Sequence, residues 1–446
     1  MDTHSIVTIV IFVVVSFLIA LERLPRTILA LAGAMLIIII GGIDQHDALH
    51  GNPVSGLSGV DWNTILLLIG MMVIVNISRK TGMFEWLAIR TAKLASGDPV
   101  KILALVAIMT AVLSAFLDNV TTVLMFAPLT ILIYERLRCD PAPALIAIIL
   151  ASNIGGAATL IGDPPNIVVG SMARLNFMDF IFVNTPVAIF CLLITVAVIT
   201  LRYRGVFVVS DDLRNEIMQF DEDGAIANRP LLNRCLIVIF VTLTGFVIHG
   251  AVNLEPATIA MGGAVLLLLL HTEGLEEAFE QVEWSTIFFF IGLFIMVGGL
   301  AETGVFERLS QGLLDVSQGN SLLMTILLLW ASAVLTAFLN NVAFIVMAVP
   351  LVQSLAATMH PEISSADFFA LYHTPDVLPL WWALSLGACF GGIATYVASA
   401  ANLIVAGIAE SSNHGFPYSR YLKWSIPTTV FCLIVCSLWL WLRFFR

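Results

Sequence analysis

Two aspartates, Asp118 and Asp163, lie deep inside long apolar runs of this chain. An acid in that setting is expensive to bury as an anion, so it is expected to carry a proton, bind a cation or face a water-filled cavity. Each sits in a cluster of small polar residues and helix breakers. The first cluster is Asp118-Asn119-Val120-Thr121-Thr122. The second runs from Asn153 through Gly155, Gly156, Thr159 and Gly162 to Asp163-Pro164-Pro165-Asn166. Pro164 and Pro165 donate no N–H and clash with a continuing helix, and a residue before proline is pushed away from the α region. The chain is therefore expected to unwind at Asp163. Unwound backbone survives in a membrane only where it is buried in protein or lines a cavity. Freed carbonyls there can take a cation, and half-helix N-termini favour negative charge or dipoles.

Both clusters return later in the chain. Asp61-Trp62 matches Glu283-Trp284, Thr81-Gly82 matches Thr303-Gly304, and Phe116-Leu117-Asp118-Asn119-Val120 matches Phe338-Leu339-Asn340-Asn341-Val342, all at an offset of 222 (284 − 62). Gly155-Gly156, Thr159 and Asn166 match Gly391-Gly392, Thr395 and Asn402 at an offset of 236 (402 − 166). The acids are not repeated: Asn340 stands for Asp118 and Ser399 for Asp163. The expected substrate-binding residues are Asn119, Thr121, Thr122, Gly162 and Asn166 from the first copy, with Asn340, Asn341, Thr395 and Asn402 from the second. Asp118 and Asp163 are the expected proton- or cation-coupling residues. No resident metal or other cofactor is expected, since no Cys/His group has ligand spacing. The six cysteines are read as inert core thiols.

The elements that must position these residues follow from composition. Of 446 residues, 59% are hydrophobic and 11% charged, and the mean hydropathy is +0.99. Soluble proteins carry about 25% charged residues. With apolar runs of bilayer length, the chain is expected to be an all-α polytopic membrane protein. That excludes a soluble enzyme, a nucleic-acid binder and a secreted disulfide scaffold. No GxSxG-type or His-rich arrangement marks an intramembrane enzyme. Two runs, 101–137 and 320–358, are too long for one span of about 20 residues and break at the hairpin clusters. Reading each as a re-entrant hairpin leaves ten crossings. Sixteen of the 20 Lys and Arg residues then fall on one side, against Arg174, Arg308, Arg443 and Arg446 on the other. The rich side is expected to be cytoplasmic, which places both termini and the acidic loops 44–61 and 362–376 outside the inner membrane. The expected organisation is two inverted five-helix repeats. The first is 1–201, with hairpin 101–137 and broken helix 142–171. The second is 234–446, with hairpin 320–358 and broken helix 380–408. A solvated linker, 202–233, joins them. Such repeats are the architecture of secondary transporters with a midplane site.

At these motifs the chain resembles the ion transporter superfamily. The hairpin tip is similar to that superfamily's Ser-Asn-Thr signature, and Gly155 through Asn166 to its Gly-Gly…Thr…Gly…Pro-Pro-Asn break. Residues 116–122 look closest to the ArsB/P-permease branch of arsenite efflux permeases, NhaD-type sodium/proton antiporters and pink-eyed-dilution proteins. The resemblance covers nearly the whole chain. It implies a scaffold with a transport domain and a homodimer, and, for some members, a soluble ATPase partner. Asp118 in place of the signature's Ser argues against the dicarboxylate carriers. The expected function is export of arsenite or antimonite in exchange for protons. A Na⁺/H⁺ antiporter is the alternative, and a carboxylate or other anion symporter a third.

Overall fold

A computed structural model describes residues 3–21, 23–51, 59–272, 275–364 and 367–446. Part of the expected outer loop 44–61, residues 52–58, lies outside them, as do 365–366 of the loop 362–376. The described residues form helices and no strand. In chain order the helices are α1 (Thr3–Ala20), α2 (Arg26–Ile39), α3 (Gln45–His50), α4 (Trp62–Arg79), α5 (Met83–Leu94), α6 (Pro99–Ser114) and α7 (Asn119–Arg136). Then follow α8 (Ala142–Gly156), α9 (Pro164–Met172), α10 (Phe177–Tyr203), α11 (Asp211–Met218), α12 (Arg229–Val252), α13 (Pro256–Leu270), α14 (Leu275–Glu280) and α15 (Trp284–Ala301). The last are α16 (Val305–Ser317), α17 (Ser321–Phe338), α18 (Asn341–Met359), α19 (Phe368–Tyr372), α20 (Leu378–Gly391), α21 (Ala400–Ser411) and α22 (Tyr418–Phe444). Eight of these helices are long and apolar enough to cross a bilayer, and the chain is an all-α polytopic membrane protein.

The breaks fall where side chains can end a helix. Asp118 caps α7, its Oδ2 accepting from the Thr121 N–H at 3.1 Å, and Asn340 caps α18 through the Val342 N–H at 3.0 Å. Such caps satisfy the orphan donors of a first turn. Asp163 is extended, with φ −142°, and α9 begins on its two prolines.

Packing repeats across the chain. α6 lies on α8 as α17 lies on α20, and α7 lies on α21 as α18 lies on α9. α4 packs on α13, and α15 packs on α2. Glycine permits the closest of these approaches. A Cβ at Gly155 would run into the Ala111 backbone, and one at Gly391 would come within 2.7 Å of Ala333. At Gly70 and Gly292 it would meet the backbones of Ala260 and Ala30, each at 2.7 Å.

The segment 202–233 is largely exposed and is held to its neighbours at a few points. It contains α11, which packs on α5 and α7. The Ala227 N–H donates to the Thr81 carbonyl at 3.0 Å, and Arg90 pairs with Glu222 at 3.1 Å. The reason is the tight turn at Gly82, at φ +79°, whose open face receives the Ala225 carbonyl where a Cβ would stand.

Candidate functional site

Four half-helix N-termini meet near the centre of the fold: those of α7, α9, α18 and α21, with Asp118, Asp163, Asn340 and Ser399 at their caps. All four cap residues line one cavity of about 240 Å³. Asp163 is fully buried. Its Oδ1 accepts from Asn119 Nδ2 and from Asn341 Nδ2, each at 3.2 Å. One carboxylate thus receives an amide from each hairpin tip. The Asn341 N–H in turn donates to the Ala398 carbonyl at 2.9 Å, joining the second tip to the second break. Among the described residues no lysine or arginine forms an ion pair with Asp118 or Asp163. A buried carboxylate of this kind needs a proton or a bound cation for charge balance.

The two breaks differ chemically. α9 opens with Asp163-Pro164-Pro165, a carboxylate followed by two residues without N–H donors. α21 opens with Ser399-Ala400-Ala401, which retains its donors and carries no side-chain cap hydrogen bond. The first break therefore suits a proton or cation, and the second suits an anion. Arg26, at the start of α2, lines the cavity together with Ser399 and Ala400. Its guanidinium also lies 5.1 Å from the Phe289 ring centroid. An apolar extension of about 360 Å³ shares Arg26, Asn340 and Ala400 with this cavity.

Of the residues expected from the sequence, Asn119, Asn340, Asn341, Asp118 and Asp163 line the cavity. Thr121 instead borders a cleft of about 20 Å³ beside Asp118. The other five lie off the cavity, because the breaks use their polar atoms or leave them no room. Thr122 Oγ1 donates to the Asp118 carbonyl at 3.0 Å. Gly162 packs on the Ser114 carbonyl, 2.6 Å from where a Cβ would stand. Asn166 Nδ2 donates to the carbonyls of Gly156, Ala157 and Thr159 at 3.3, 3.2 and 2.8 Å, and its Oδ1 accepts from Ser385 Oγ at 2.6 Å. Asn402 Nδ2 does the same for Gly392 and Thr395 at 2.7 and 2.8 Å, while its Oδ1 accepts from Asn153 Nδ2 at 2.9 Å. Thr395 Oγ1 donates to the Ala337 carbonyl at 2.6 Å, as Thr159 does to the Ala115 carbonyl. These side chains satisfy carbonyls freed by unwinding, which would otherwise be buried without partners.

Arg26, Glu283, Ser285, Thr286 and Ser399 also line the cavity and were not among the expected binding residues. One signal for Glu283 was available, since it is the repeat partner of Asp61. Arg26 appears in the sequence only as one more basic loop residue.

The profile of the CitMHS family, described as citrate transporter, matches residues 16–387. The chain is 37% identical over 440 residues to a 46 kDa membrane protein of Mycobacterium leprae, covering 99% of each. It is 38% identical over 441 residues to an uncharacterized transporter of Mycobacterium tuberculosis, again covering 99% of each. It is 28% identical over 498 residues to the P protein of Mus musculus, covering 92% of this chain and 57% of that one. The crystal structure of the YdaH transporter of Alcanivorax borkumensis, which has an unusual topology, superposes with a TM-score of 0.57 at 12% identity, covering 99% of each chain.

Proposed function

The chain belongs to the CitMHS citrate transporter family, a family of secondary transporters, and on that premise we propose that it carries a small organic carboxylate together with a proton or a metal cation. The observation that carries this reading is the chemical difference between the two breaks that meet in one cavity. The Ser399 end of α21 and Arg26 suit a carboxylate, and Asp163, held by Asn119 and Asn341, suits the coupling ion. Asp118 and Glu283 on the same wall disfavour a bare polyanion, so a tricarboxylate such as citrate would enter protonated or paired with a divalent cation.

The recurrent packing supports division into two inverted repeats, 1–201 and 234–446, joined by 202–233. The basic-residue asymmetry supports a cytoplasmic face carrying Arg26 and Glu283 and an outer face carrying Asp61. On that orientation the cavity opens inward. Arsenite or antimonite exchange, suggested by the ArsB-like tip, finds no further support in the relatives, and Na⁺/H⁺ antiport would leave the Ser399–Arg26 side without a role. The test is uptake by purified protein in liposomes under an imposed proton gradient. Labelled citrate with Mg²⁺ is expected to accumulate above its equilibrium level. Accumulation of arsenite with citrate excluded, or proton-linked Na⁺ flux with neither, would overturn the carboxylate reading.

A further inference from the structure

The face that carries Asp61 is latched to α9, and the matching position on the opposite face is not. Ser171, on α9, donates through Oγ to Asp61 Oδ1 at 3.0 Å, and Asn63 Nδ2 donates to Ser171 Oγ at 3.2 Å. Asn63 is itself fixed to α13: its Oδ1 accepts from the Ala257 N–H at 3.0 Å, and its Nδ2 reaches Glu255 Oε2 at 3.1 Å. The repeat offsets give each residue a counterpart. Asp61, Asn63 and Thr64 correspond to Glu283, Ser285 and Thr286 (61 + 222, 63 + 222, 64 + 222). Ser171 corresponds to Gly407 (171 + 236). The scaffold part of the arrangement is kept, since Thr27 Oγ1 donates to the Ser285 carbonyl at 2.7 Å and Thr286 Oγ1 to Glu283 Oε2 at 3.1 Å. The link to the broken helix is missing. Gly407 has no hydroxyl, a Cβ there would meet nothing within 4 Å, and Glu283, Ser285 and Thr286 line the cavity instead.

We propose that Ser171, with Asp61 and Asn63, is the gate that holds the Asp61 face shut, and that glycine at 407 leaves the Glu283 face without an equivalent gate. The inference rests on the alternating-access reading above. Ser171 is a positioning residue: it holds α9 against α4 and α13 and touches no cargo. Losing it removes a hydrogen bond to a carboxylate from one conformation only, and an equilibrium shifts by the differential energy between its two states.

The experiment uses the full chain in micelles with Cys139, the half-buried native thiol, replaced by Ser; the other five cysteines are buried. Two reporters are compared by their rates of reaction with a charged maleimide. Val297→Cys lies in a cleft of about 30 Å³ between α9, α15 and α18, near the latched face. Ile404→Cys lines the open cavity. Ser171→Ala is expected to speed labelling of the first by about tenfold, the worth of one hydrogen bond to a charged group, and to slow labelling of the second. Ser171→Thr keeps the hydroxyl and should restore both rates. Unchanged rates in Ser171→Ala overturn the gate, and so does faster labelling of the first reporter with no change in the second, which is local loosening. If both rates shift but no solute is transported, the gate stands and the transport reading fails. If citrate shifts the wild-type rates and Ser171→Ala does not, the reverse holds.

Discussion

Among the described residues Asp163 is the one carboxylate that both hairpin tips grasp, and its bonding separates two roles that buried acids can play. A purely structural acid would be indifferent to replacement by its amide. Asp163→Asn keeps the Oδ1 that accepts from both Asn119 and Asn341, so tip geometry should survive while the charge is lost. We expect folded protein that still binds citrate, with proton- or cation-driven accumulation in liposomes reduced at least about tenfold, equivalent to about 1.4 kcal/mol of coupling. Undiminished accumulation would move the coupling ion elsewhere, with Asp118 on the same wall the next residue to change. The tip residues were legible in the sequence because polar residues recur there at a constant offset amid apolar neighbours. Arg26 was not, because it stands at the start of α2 and reaches the cavity only through the packing of α2 on α15, and Glu283 was legible only as the repeat partner of Asp61.

At the scale of elements, the breaks were also legible, since two prolines after Asp163 leave an α-helix no way to continue. What held them open was not. Asn166 and Asn402 read as binding residues until the freed carbonyls are located, and those carbonyls take every donor the two amides offer. The C-terminal end of α18 shows a different use of a polar side chain. His360, just past that helix, reaches Glu362 Oε1 through Nδ1 and Asp376 Oδ2 through Nε2, both at 2.9 Å. Asp376 precedes α20, and its carbonyl accepts from Ser321 Oγ at the start of α17. The hydrogen bond to Glu362, and then the one to Asp376, raises the His360 pKa above its ordinary 6.5, with burial opposing. A group whose folded pKa is raised adds stability that is complete below the unfolded value and is lost as pH climbs through the folded one. The melting temperature of wild type minus that of His360→Gln should therefore be largest below about pH 6.5 and shrink as pH rises above it. A difference that grows with pH would contradict this account of the clasp.

For the molecule as a whole, sidedness has a direct measurement. A hairpin between α6 and α7 brings Asp98, before the first arm, and Arg138, after the second, to one face. Single cysteines at 98 and 138 should react with an impermeant reagent from the cytoplasmic side alone; reaction from opposite sides would make each long run a single crossing. The exchange of partners between halves bears on synthesis as well as on transport. α4 packs on α13, and α2 on α15, so the first half leaves the ribosome with two helices whose partners do not yet exist. Pro256 follows Arg79 by 177 positions (256 − 79), which at the usual rate of chain growth is roughly ten to thirty-five seconds. During that interval the Gly70 notch on α4 faces lipid or an insertion chaperone instead of Ala260. A nascent chain stalled there, or a gene cut at the linker, would leave an orphan whose one ready-made complement is another copy of itself inserted the other way up.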